Sequence, residues 1–212
     1  MLAEGLGARQ WFIAAANNTP APYALGSSVT TTNTSDATTA TKTFPQSYKL
    51  KSDTTYAFYF NATLPVDANP AMQSKALLTA LSVGGDGYLC PLLATDNTGN
   101  VGTTPDVRSV GNNIGFFYSY ASANWQAFVS VAGTPTQIDT GVVVAINTPY
   151  VFKILVNFGS GSATFYINGT AVGTISTLPV TNTFFYIGAW GSYVSVTSAT
   201  VMDVASIYCE AY

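Results

Sequence analysis

Reactive chemistry has few places to reside in this chain. Its 212 residues include ten carboxylates, seven basic side chains, two cysteines and no histidine. Without His there is no Ser-His-Asp triad, no Cys-His pair and no imidazole metal site. Asp139-Thr140-Gly141 has the triplet form in which two aspartates share one proton, but a single copy occurs, and that chemistry needs two facing carboxylates. A turn leading into the apolar run Val142–Ile146, which suits a buried strand, explains the triplet more simply. Asp86, between glycines, and Asp96-Asn97 offer oxygen ligands to a weak Ca²⁺ site, and turn chemistry accounts for both. Gly159-Ser160-Gly161-Ser162 opens no helix, so it is not a phosphate loop. The chain is expected to be no enzyme and to hold no metal or cofactor.

Aromatic side chains are what remains. They make up 13% of the chain, and Tyr118, Tyr120, Trp190 and Tyr193 lie near turn-forming residues. Trp190-Gly191-Ser192-Tyr193 suits a loop platform on which a sugar ring stacks. The same residues suit a protein interface, or plain packing in an aromatic core. Trp11, Phe12, Ile13 and Phe44 are apolar anchors flanking Ser27–Thr43, where eleven of seventeen positions are Ser or Thr. Such a run cannot offset its ordering entropy by burial. Residues 1–45 are therefore expected to form an arm, packed along its own domain or held by neighbouring subunits through those four anchors.

Composition narrows the partners. Charged residues are 8% of the chain, against roughly 25% in ordinary soluble domains. The basic residues (Arg9, Lys42, Lys49, Lys51, Lys75, Arg108, Lys153) are scattered and the net charge is −3, which argues against nucleic acid. Hydrophobic residues reach 48%, yet no apolar run approaches the ~18 residues that span a bilayer. The first residues lack the order of a secretory leader, so synthesis in a cytosol is expected, with Cys90 and Cys209 as two separate thiols.

The elements that must position these residues are strands. Tyr56, Phe58, Phe60, Ala62 and Leu64 alternate with Ala57, Tyr59, Asn61 and Thr63; Tyr150–Phe158 alternates likewise, and Trp125, Ala127, Val129 and Val131 form another face. Further apolar runs at 76–83, 87–94, 114–120, 141–146, 183–190 and 199–208 are separated by Gly/Asn/Asp clusters. A short helix fits Asn69–Leu81. Asn168-Gly169 tolerates positive φ at both centres of a type I′ turn, and closing it pairs Ile167 with Thr170, Tyr166 with Ala171 and Phe165 with Val172. Tyr166 and Ala171 then share an uncharged second face that meets another layer or a partner. Four N-glycosylation sequons, at Asn17, Asn33, Asn61 and Asn168, are close to what this composition produces by chance. About a dozen strands at such spacing predict an all-β, two-sheet antiparallel β-sandwich or jelly roll carrying an extended N-terminal arm.

The order Trp125, Ile138-Asp139-Thr140-Gly141, Tyr150-Val151-Phe152-Lys153-Ile154 and Phe165-Tyr166-Ile167-Asn168-Gly169 resembles the concanavalin A-like lectin/glucanase (laminin G-like) jelly roll. The likeness spans residues 46–212 and is clearest over 125–178. Glucanases of that superfamily carry paired glutamates around an aspartate on one strand, whereas this chain has only Glu4 and Glu210. Its legume-type lectins hold Mn²⁺ and Ca²⁺ through a His and several carboxylates, a set that cannot be assembled here. Single-domain versions are common in virion proteins of tailed bacteriophages, which a Thr/Ser/Ala-rich chain without a leader also resembles. The resemblance implies a non-enzymatic virion structural protein, such as a capsid decoration or cement protein or an appendage. It would form a homotrimer, contact the capsid shell and be assembled in the host cytoplasm, with no nucleic acid and no membrane as partners. The alternative is a glycan-binding receptor-recognition module of a viral fibre or surface protein.

Overall fold

Burial alternates residue by residue along Pro149–Asn157. Tyr150, Phe152, Ile154 and Val156 are buried, while Val151, Lys153 and Leu155 between them are half-buried. A strand does this when one face meets a core, and the computed structural model of the chain repeats the arrangement until two antiparallel sheets are built. The structure describes residues 9–13, 21–22, 28–32, 48–51, 56–61, 69–81, 86–94, 106–109, 111–119, 121–180, 186–194 and 201–211. Over 9–13, 21–22, 28–32, 48–51, 56–61, 79–80, 86–94, 107, 186–194 and 201–211 it describes the course of the backbone.

In chain order the first strands are β1 (Arg9–Ile13), β2 (Ala21–Pro22), β3 (Ser28–Thr32), β4 (Tyr48–Lys51), β5 (Tyr56–Asn61), β6 (Pro70–Ala80) and β7 (Asp86–Ala94). They are followed by β8 (Asn113–Phe117), β9 (Asn124–Val131), β10 (Thr134–Val143), β11 (Pro149–Asn157), β12 (Ser162–Ile167), β13 (Thr170–Ile175), β14 (Tyr186–Val194) and β15 (Val201–Ala211). One sheet has eight strands, in the order β13-β12-β11-β6-β15-β1-β2 with β4 also joined to β15; the other has seven, β10-β9-β8-β7-β14-β5-β3. The fold is the expected all-β two-sheet sandwich.

Aromatic side chains from both sheets fill the space between them. Phe116 on β8 meets Phe152 on β11 at 5.0 Å and Phe165 on β12 edge-on at 5.3 Å. Trp125 on β9 stands edge-on to Phe152 at 4.7 Å and to Tyr150 at 5.5 Å. The other face of β9 is buried as well, beneath a 3₁₀ turn at Val107–Ser109. Ser130 Oγ donates to the Arg108 carbonyl at 2.6 Å, and the Arg108 guanidinium lies 4.1 Å from the centre of the Phe117 ring. Asp106 and Gln137 hold that guanidinium from its edges. One arginine therefore fastens the turn to the sheet.

Several local expectations are corrected. Asn69–Leu81 is not helical: Pro70–Ala80 is the strand between β11 and β15, with Met72, Ser74 and Ala76 buried and Gln73 and Lys75 exposed. Two hydrogen-bonded neighbours outweigh the helix propensity of its Ala, Met, Gln, Lys and Leu residues. Val142–Ile146 is not a buried strand. β10 is an edge strand that ends at Val143, and Val143 and Ile146 are 65% and 49% exposed.

The β12–β13 hairpin turns on Asn168 and Gly169 with φ of 51° and 82°, and Ile167 pairs with Thr170 and Tyr166 with Ala171 as expected. Phe165, however, pairs with Gly173 rather than Val172, because β13 carries a bulge there. A Cβ at Gly173 would meet Cδ1 of Ile138 on β10, so a larger residue there requires the Ile138 side chain to shift where the two sheets meet.

Where the structure describes the arm, its strands lie along their own domain, the first of the two expected arrangements. β1 pairs with β15 in one sheet and β3 pairs with β5 in the other. Trp11-Phe12-Ile13 is a good strand sequence, and it satisfies the backbone groups along the free edge of β15.

Candidate ligand-binding face

Strand register builds rows across the outer face of the eight-stranded sheet. Lys153 on β11 pairs with Gln73 on β6 to one side and with Tyr166 on β12 to the other. Tyr166 continues to Ala171 on β13, and Gln73 to Tyr208 on β15, which pairs with Trp11 on β1. The adjacent row runs from Asn168 through Val151 and Lys75 to Ser206 and Ile13. A groove of about 580 Å³ lies across β6, β11 and β12, with Gln73, Lys153 and Tyr166 along it, Val151 and Leu155 as apolar patches, and the Asn168-Gly169 turn at its end.

The polar groups of this groove are partly engaged by the fold. Asn168 Oδ1 accepts from the Val151 amide at 2.8 Å, and the Asn168 amide donates to the Val151 carbonyl at 2.8 Å. The first bond fixes which end of the side-chain amide is oxygen and turns Nδ2 outward. The Lys153 ammonium stands 6.0 Å from the centre of the half-buried Tyr166 ring, at the outer limit of a cation–π contact. Among the described residues, Nδ2 of Asn168, the Gln73 amide and the Tyr166 hydroxyl have no hydrogen-bond partner, and Lys153 has no carboxylate partner. Backbone ladders on both sides of β11 hold these groups in place.

The polar groups at the β9–β10 edge satisfy one another instead. Asp139 Oδ1 accepts from the Gly141 amide at 2.7 Å and from Asn124 Nδ2 at 2.9 Å. The Gly141 amide, then Asn124 and Gln126, hold the carboxyl below the usual aspartate range against a small opposing effect of desolvation. Thr140 Oγ1 donates to the Trp125 carbonyl at 2.7 Å, and Gly141 has φ of 69°. The triplet thus shapes an irregularity in β10, and the carboxylate serves that backbone. No group of three or more His, Cys, Asp or Glu suited to a metal ion occurs among the described residues.

The residues singled out from the sequence are dispersed. Tyr118 is 5% exposed and edge-on to Trp125, so it belongs to the core and presents no ring to a ligand. Burial raises its hydroxyl pKa above the usual tyrosine value. Trp190 and Tyr193 lie within β14 rather than on a loop. An odd spacing of three puts them at register positions of opposite faces. Trp11 and Ile13 stand in the outer rows, whereas Phe12 pairs with Ile207 and through it with Ser74, in a core row. Tyr120, Phe44 and Asp96-Asn97 lie outside the described residues. Cys90 is on β7 and Cys209 on β15, in different sheets. Gln73, Lys153 and Tyr166 escaped the sequence reading because their alignment depends on the pairing of strands about 80 residues apart in the chain.

No protein-family model and no curated protein sequence matches the chain. Solved structures do. A peanut lectin bound to a nonapeptide superposes with a TM-score of 0.64 over 98% of both chains at 10% identity. A basic winged bean lectin with Tn-antigen gives 0.65 over 97% of this chain and 98% of its own, at 9% identity. The fold is that of a lectin β-sandwich. The binding domain of a botulinum neurotoxin DC, in complex with SialylT, shares it with a TM-score of 0.61 at 14% identity, over 95% of this chain and 47% of the toxin chain.

Proposed function

We propose that this lectin-type sandwich is a non-catalytic carbohydrate-recognition module whose ligand lies across β6, β11 and β12. One observation carries the reading: an aromatic ring, two apolar patches and, among the described residues, three polar groups without a hydrogen-bond partner and an ammonium without a carboxylate partner converge on one groove. A sugar offers an apolar C–H face and a belt of hydroxyls. The Tyr166 ring suits the first, with Val151 and Leu155 beside it. The Gln73 and Asn168 amides, the Tyr166 hydroxyl and the Lys153 ammonium suit the second. Support also comes from neighbours described as lectins, one of them complexed with methyl-α-D-galactose, and from a carbohydrate-binding module. Fold alone does not assign function, so the weight rests on the groove.

The groove is shallow, so a single sugar should bind weakly. A hexose of about a dozen heavy atoms at ~0.3 kcal/mol each gives a dissociation constant on the order of 1 mM. Binding of an oligosaccharide panel, followed by ligand-observed NMR on wild type, Tyr166→Ala and Gln73→Ala, tests the reading. Binding lost in both variants with melting unchanged is the expected result; binding unaffected by either would refute it.

The second reading is the virion structural protein, a capsid decoration or appendage acting through protein contacts as a homotrimer in a particle assembled in the host cytoplasm. It draws on the same face, where the rows containing Trp11 and Ile13 continue the groove. A glycan panel with no binder, together with a defined oligomer in sedimentation, would favour it.

A further inference from the structure

The basic residues are scattered along the sequence but not in the fold. Arg9 on β1, Lys49 and Lys51 on β4, Lys75 on β6 and Lys153 on β11 are five of the chain's seven, and all five lie in the eight-stranded sheet. Register gives each of them an outer-row position. Arg9 pairs with Glu210, which pairs with Ala71 and so aligns with Leu155. Lys49 pairs with Asp203, and Lys51 follows two residues along the same strand. Lys75 pairs with Val151.

Acidic residues are distributed differently. The sheet's two carboxylates, Asp203 and Glu210, stand opposite Lys49 and Arg9 in the ladder. β6, β11, β12 and β13, which form the half of the sheet containing the groove, have no Asp or Glu at all. The seven-stranded sheet has Asp86 and Asp139 and no Lys or Arg. A chain of net charge −3 has thus gathered five of its seven basic residues on one sheet, and among the described residues Lys153, within the groove, has no carboxylate partner.

We infer that the groove selects acidic carbohydrate, meaning sugars that bear a carboxylate or a sulfate. Their anion meets Lys153 while the ring packs against Tyr166. This rests on the carbohydrate reading above and narrows it. The ammonium stands over the Tyr166 ring at 6.0 Å from its centre, close enough for a single saccharide to set its ring against Tyr166 and an anionic substituent against Lys153. An ammonium also binds an anion as a point charge, without the fork geometry of arginine, which accommodates carboxylate and sulfate alike. A nucleic acid is less well served. Among the described residues the groove offers one ring and one cation, whereas single-strand tracks combine a run of cations with successive stacking rings.

The test compares a neutral oligosaccharide with its uronate and sulfated counterparts on the full chain, by calorimetry or ligand-observed NMR, at low salt and at ~0.5 M salt. The expected result is that the acidic forms bind roughly five-fold more tightly, as one exposed ion pair allows. That advantage should disappear in Lys153→Gln and shrink in high salt. Equal binding of neutral and acidic forms, with Tyr166→Ala weakening both, overturns the inference and leaves the carbohydrate reading standing. Binding of neither form overturns both. A single-stranded oligonucleotide that displaces the acidic sugar at equal charge concentration also overturns the inference, since charge alone would then be recognised.

Discussion

The Tyr150 hydroxyl donates to the Val143 carbonyl at 3.0 Å, seven residues back along the chain. It also accepts from the Ala145 amide at 2.9 Å, while its ring lies in the core against Trp125 and Phe152. One side chain thus satisfies two backbone groups in the connection from β10 to β11. Tyr150→Phe keeps the ring and removes both bonds. Because Val143 and Ile146 are exposed, water reaches the freed groups, and the cost should be about 1 kcal/mol rather than the ~3 of a fully buried loss. Denaturant titration measures the first quantity, and faster amide exchange at Ala145 reports the loosened connection. Unchanged exchange would mean that the hydroxyl does not hold it.

The Asn168-Gly169 turn separates backbone strain from side-chain bonding. A Cβ at Gly169 meets nothing within 4 Å, so Gly169→Val should cost only the positive-φ penalty, on the order of 1–3 kcal/mol. Asn168→Asp keeps an oxygen for the Val151 amide and should be nearly silent. Asn168→Ala loses that bond and should destabilise by about 1 kcal/mol. Thermal melts that fail to rank the variants in this order would contradict the turn geometry.

Stability should be flat from about pH 5 to 8, since there is no histidine to titrate. Outside that window, among the described residues, two groups with shifted pKa contribute with opposite signs. Asp139 is depressed in the folded state, first by the Gly141 amide and then by Asn124. Its contribution is therefore present above the usual aspartate range and lost as pH falls through its folded value. Tyr118 is raised by burial, so its contribution is present below about pH 10 and lost as pH climbs through its folded value. Asp139→Asn should flatten the acid limb of a melting-temperature profile, and Tyr118→Phe the alkaline limb. A sharp step near pH 6 would be incompatible with this account.

Removing residues 1–45 deletes β1, β2 and β3 and bares one edge of β15 and one of β5. Unpaired edges recruit other chains. A chain beginning at Gln46 should melt lower and self-associate, as light scattering would reveal. A monomeric protein with an unchanged melting temperature would restore the idea of a dispensable arm.

What was legible from the sequence had local causes. Alternation in Tyr150–Val156 and the Asn-Gly pair gave β11 and the hairpin turn, because period and turn chemistry act over a few residues. Pro70–Ala80 reads as a helix because its residues favour one, and the decisive partners, β11 and β15, are remote in sequence. Tyr118 stands near a turn but faces Trp125, which proximity to a turn could not reveal. The groove and the gathered lysines follow from register across five strands, a property no single segment contains.

The bulge in β13 has a genetic corollary. Losing one codon from a strand usually reverses every following side chain between inside and outside. Loss of Val172 would not. Ala171 would still oppose Tyr166, and Gly173, Thr174 and Ile175 would keep their places opposite Phe165, Thr164 and Ala163. The ladder would simply become regular, at the expense of the contact Val172 makes with the core. Length variation among descendants of this chain therefore has an outlet inside a strand, not only in the connections between strands.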